Sequence, residues 1–149
     1  MARYLSDVLL GKRNVSQPDD SDIDDTPIDV TLPAVALAVG DIISLVDLPP
    51  GVKMTDFDVS APQLDSNGAP TLAFSIGEEN AAGTDLATVY ESGLTFGRGA
   101  NGSISRALTF AAAAAVATST RRISLKVTTA AATSASAGKL LLAVLHLRG

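Results

Sequence analysis

The chain contains no cysteine, which excludes a disulfide scaffold, a cysteine nucleophile and any zinc site built on thiolates. Tryptophan is absent too, and aromatic residues make up only 4% of the 149 positions. Single-stranded nucleic-acid grooves and sugar clefts both rely on aromatic stacking platforms, so neither is favoured. One histidine is too few for a histidine-rich metal centre. The longest apolar runs, 110–117 and 140–145, fall far short of the ~20 residues a membrane helix needs. Asp7 interrupts any signal-peptide core near the start. The expectation is a soluble, unexported domain made where thiols stay reduced.

Acid is missing from the last third. All 16 acidic residues lie at or before Glu91, against five basic ones up to residue 100. The two parts carry −11 and +6, and Asp19, Asp20, Asp22, Asp24 and Asp25 supply much of the negative end. Either strands from both parts interleave and the charges mix, or the acidic segment reaches the basic face of a neighbouring subunit. The net charge of −5 repels phosphate, so nucleic acid is not an expected partner.

With 46% apolar and 18% charged residues, the chain suits one globular domain. Residues 1–27 read as an N-terminal arm: Leu5, Val8 and Leu9 are spaced for one or two helical turns, and a polar, acidic stretch broken by Pro18 and Pro27 follows. From Ile28 the period becomes two. Ile28, Val30 and Leu32 alternate with polar neighbours, and Val35, Leu37 and Val39 with alanines. Strands are also expected over 41–48, 52–61, 71–76, 104–110, 123–128 and 139–147. Val52/Met54 and Phe57/Val59 are out of phase, which predicts a β-bulge near Thr55. Residues 77–103 read as loop with a short helix around 85–90. The alanine run 111–115 reads as a connection or one helical turn. About eight closely spaced strands without βα units predict an all-β fold: an antiparallel β-sandwich, jelly-roll-like, over residues 28–149, with the extended arm before it.

The last strand is apolar on both faces, with Leu140, Leu142 and Val144 on one and Leu141, Ala143, Leu145 and Leu147 on the other. Such a strand is expected to be covered on both sides, by the arm, a loop or another subunit.

No motif for chemistry holds. Gly97-Arg98-Gly99-Ala100-Asn101-Gly102 spells a dinucleotide loop but is followed by a Ser/Thr-rich strand and no acid, so it reads as a glycine turn. Asp20, Asp22 and Asp24 mimic the start of a calcium loop whose required Gly and Glu positions hold Asp25 and Thr31. His146 lacks a nucleophile elbow and reads as structural or surface-lying. Glu78-Glu79 reads as a solvated turn. The expected catalytic, cofactor and metal residues are therefore none, and the chain is not expected to be an enzyme.

The stretch from Leu37 to Val52, with its Gly40-Asp41 strand start and Leu48-Pro49-Pro50-Gly51 turn, resembles the small jelly-roll proteins that decorate or cement the capsids of tailed bacteriophages. Asp56-Phe57-Asp58-Val59, residues 69–77, the loop 133–138 and the strand 139–147 continue the likeness over residues 28–149. The resemblance implies a structural protein, without cofactor, on the outer capsid surface of the virion and made in the bacterial host cytoplasm. Its implied partners are the major capsid protein and further copies of itself, as a dimer or trimer, with no nucleic acid and no membrane. The expected contact residues are Tyr4, Leu5, Val8, Leu9, Arg121, Arg122, Leu141, Leu145 and Leu147. A head-fibre base, neck or tail component, or a glycan-binding sandwich, are the alternative readings.

Overall fold

Alternation of apolar and polar residues gives most segments one dry face, and two sheets bury those faces against each other. A computed structural model describes residues 1–12, 23–99 and 101–148. The strands are β1 (Arg3–Leu5), β2 (Ile23–Thr31), β3 (Ile42–Leu48), β4 (Lys53–Pro62), β5 (Ala73–Glu79), β6 (Leu86–Leu94), β7 (Asn101–Ala107), β8 (Arg121–Thr129) and β9 (Leu140–Arg148), with a five-residue helix α1 (Phe110–Ala114). One sheet has the order β1-β3-β8-β5-β6 and the other β2-β9-β4-β7. Every pairing is antiparallel except β1 with β3. From β2 to β9 the chain crosses between sheets at every connection but β5–β6, so the antiparallel sandwich is jelly-roll-like.

The inward set is Ile28 and Val30 on β2, Met54, Phe57 and Val59 on β4, Phe74 and Ile76 on β5, Ile123, Leu125 and Val127 on β8, and Leu141, Leu145 and Leu147 on β9. Phe74 stacks on Phe96 with ring centroids 4.4 Å apart. The expected bulge lies between Met54 and Asp56, where the register with β9 shifts. The alanine run forms one short helical turn, with Thr109 accepting from the Ala112 N–H at its start.

Three expectations change. Residues 86–90, expected as a short helix with 85, open strand β6, because Thr88, Val89 and Tyr90 suit a pleated surface and find β5 beside them. Glycine is required opposite: a Cβ on Gly77 would lie 1.9 Å from the Thr88 carbonyl oxygen. Residues 33–40 form a loop, not a strand, as Pro33 breaks the ladder and the Asp41 carboxylate accepts from the Ala38 N–H at 2.9 Å. The arm boundary at 27/28 cuts through β2, whose Thr26, Ile28 and Val30 all point inward. At the front end, β1 pairs with β3 and Val8 is buried. Asp7 and Asp29 bond in both directions, the Asp7 N–H to the Asp29 carbonyl and the Asp29 N–H to the Asp7 carboxylate, both 2.9 Å. Residues 3–8 therefore join the sandwich, while 13–22 of the expected arm lie outside the described residues.

Candidate functional site

The two faces of β9 decide which residues a partner can reach. Leu141, Leu145 and Leu147, expected at an interface, are fully buried between the sheets of their own chain. The outward face carries Leu140 and Leu142, 44% and 43% exposed. Both faces are apolar, so alternation alone could not orient the strand. Its neighbours do: Asp29 and Ser60 lie beside Leu142, and Ile28 and Val59 lie beside Ala143.

The N-terminal residues meet that outward face. Leu5 and Leu10 line a groove with Leu140, Asp7, Asp29 and Thr31. Leu10 is 53% exposed, Leu5 is exposed, and Tyr4 and Leu9 are half-buried. Val8 is a core residue. A second, uncharged hollow opens further along the same face, between Ser60, Ala61, Pro62, Ser103, Leu140 and Leu142.

Arg121, expected as a basic docking point, shares the inward parity of Ile123 and Leu125 and plugs one end of the core. It donates to the Tyr90 hydroxyl and the Val52 carbonyl oxygen, each at 2.7 Å. Tyr90 in turn donates to Glu78 at 2.5 Å, and burial together with that carboxylate pushes the Tyr90 phenol pKa up. Arg122 faces out and makes a two-pronged pair with Asp47, at 2.6 and 2.8 Å, which raises its pKa.

Glu79 is not in a solvated turn. Its side chain is 3% exposed, accepting from Arg3 at 2.8 Å, from Ser124 at 2.6 Å and from Ser44. This charged network pins β1 on the outside of the five-stranded sheet. No histidine stands near these serines, because His146 lies in the opposite sheet. Among the described residues no three His, Asp or Glu side chains form a group that could hold a metal ion. Asp20 and Asp22 lie outside the described residues, as does Ala100 of the glycine turn.

His146 sits between carboxylates. Its Nδ1 meets Asp25 at 2.5 Å and its Nε2 meets Asp58 at 2.9 Å and Asp56 at 3.4 Å. Lys53 and Arg148 pair just beyond. Burial opposes the charged imidazole, but the bonds to Asp58 and Asp25 and the charge of Asp56 outweigh it and raise the His146 pKa above 6.5. Asp58 is lowered, chiefly by a hydrogen bond from Ser105 and then by His146. A raised folded-state pKa stabilises the fold fully below pH 6.5 and less as the pH climbs through the folded-state value. The melting temperature should fall as the pH rises above 6.5, and His146→Gln should flatten that slope in thermal melts across the range. An unchanged slope would show that the cluster does not couple to folding.

Sequence reasoning missed Asp65. It is fully buried where the β4–β5 and β8–β9 loops meet, and its carboxylate accepts five backbone N–H bonds from Asn67, Thr71, Leu72, Ala132 and Thr133 at 2.8–3.2 Å. The turn residues Ser66-Asn67-Gly68 that follow it mark a loop there but say nothing of the carboxylate.

Neither a protein-family model nor a curated protein matches the sequence. Solved structures do. The chain is similar to one in the capsid of Ralstonia phage GP4, at 28% identity and a TM-score of 0.76, over 99% of this chain and 98% of that one. It also shares its fold with a chain of the cyanophage Pam1 capsid asymmetric unit, at 19% identity and a TM-score of 0.62, over 93% and 96%.

Proposed function

We propose that this chain is a structural protein of a bacteriophage virion, a decoration or cement protein that binds the outer surface of the head and strengthens contacts between major capsid subunits. The observation that carries this reading is the end-to-end likeness to a chain of the Ralstonia phage GP4 capsid. The rest of the molecule is consistent with a gripping role. Its buried charges are hydrogen-bonded within the chain, and apolar side chains such as Leu10, Phe110 and Leu142 stand exposed. Many weak contacts on a repeating shell add through high effective concentration.

Copy number tests the placement. Gel densitometry of purified particles should find this chain in hundreds of copies, comparable with the shell protein. A handful of copies would assign it to the tail, neck or a head-fibre base. A glycan array should show no binding.

Tyr4, Leu5 and Leu9, with Leu10 beside them, are proposed as shell contacts. Leu10→Asp should leave the melting temperature of the purified protein unchanged, since the side chain is half exposed already. Its affinity for stripped shells should fall roughly tenfold or more. Equal binding of variant and wild type in a co-sedimentation assay would remove this segment from the contact.

A further inference from the structure

Five of the six aromatic rings are buried or half-buried, and the sixth, Phe110, is 88% exposed. It stands at the start of α1 in a connection, residues 108–120, that contains no charged residue. Val116 in the same connection is 54% exposed. A ring held out on a hydrogen-bonded turn is a preformed anchor, and burying it costs no charge desolvation.

The hollow between Ser60, Ala61, Pro62, Ser103, Leu140 and Leu142 is its counterpart. It too has no charged residue, and most of its surface is apolar. Phe110 cannot fill its own hollow. The Leu108 N–H bonds to the Thr55 carbonyl at the start of β4, at 3.1 Å, whereas the hollow lies at Ala61–Pro62 near its end. Six residues of strand separate them by about 20 Å.

We propose that Phe110 of one copy inserts into the Ala61–Leu142 hollow of a second copy, so that the chain associates with itself through a knob and a hole. Matching neutrality selects this occupant. The remaining outward surface of the four-stranded sheet is charged, with Asp25, Asp56 and Asp58 around His146 and with Lys53 and Arg148 just beyond, so a copy laid squarely over it would have to strip water from those charges. The offset contact avoids that cost. Two copies can satisfy it reciprocally, and more can satisfy it around a ring. The inference goes beyond the shell reading and concerns the purified chain alone, so its failure and that of shell binding are read separately.

Because the chain has no cysteine, introduced thiols are unambiguous. Under mild oxidation the double variant Phe110→Cys/Ser103→Cys should give covalent dimers or a ladder on denaturing gels, and neither single variant should. In sedimentation, Phe110→Ser and Leu142→Asp should each weaken self-association roughly 30-fold, with circular dichroism unchanged because both side chains are surface-lying. A wild-type monomer at high micromolar concentration would overturn the proposal. So would cross-linking by Phe110→Cys alone, or no cross-link in the double variant.

Discussion

Asp65→Ala should lower the melting temperature by more than roughly 10 °C, the largest loss expected from any single polar side chain here. Five backbone N–H groups from two loops converge on this one carboxylate, three on Oδ2 and two on Oδ1. Removing it strands five N–H donors at once, that of Leu72 in a buried position. Asp65→Asn should be nearly as damaging, although it has the same shape. An amide puts donor hydrogens where one oxygen now receives N–H bonds.

The same geometry sets an acid dependence. Burial by itself would raise the Asp65 pKa, but the N–H bonds from Thr133, Thr71, Ala132 and Asn67 outweigh it and hold the carboxyl far below its ordinary 3.8. A depressed folded-state pKa gives stabilisation that is complete above 3.8 and fades as the pH drops through the lowered value. The gap in melting temperature between wild type and Asp65→Asn should therefore stay constant from neutrality down to about pH 4, and narrow only below it. A gap that closed at pH 5 would show that another group organises these loops.

Arg121→Ala should cost about 3 kcal/mol, and Arg121→Lys should recover less than half of that. The guanidinium spans several acceptors at once: the Tyr90 hydroxyl, the Val52 carbonyl and, at 3.4 Å, the Ala115 carbonyl, with Glu78 at 3.8 Å. An ammonium group cannot reach them from one position. Alanine leaves the carbonyls without their donor and opens a void at the end of the core. Chemical denaturation measures the loss, and a double-mutant cycle with Tyr90→Phe should show a coupling of at least about 0.5 kcal/mol. Simple additivity would mean that the arginine acts only by filling space.

These two side chains also mark where sequence reading ended. Period-two alternation was enough to place β4, β5, β8 and the second half of β2, whose residues 23–27 read as arm, and the phase slip at Thr55 announced the bulge. Each of these is a local property, because alternation reports one strand's own dry face. Arg121 has the parity of a core residue, but its charge suggested the surface, and only the acceptors gathered by β6 and two loops make its burial tolerable. Asp65 gave no signal of its own, because its partners at 132 and 133 are distant in sequence.

What the amino-acid order determined by itself, then, was a two-layer β body, since that follows from residue type and spacing. The tertiary structure decided which side of β9 faces outward, which carboxylates are buried, and that Phe110 stands apart from the other rings. The physical reason is that an apolar strand satisfies burial equally well either way round until its neighbours pair with it. Asp29 and Ser60 beside Leu142, with Ile28 and Val59 beside Ala143, break that tie.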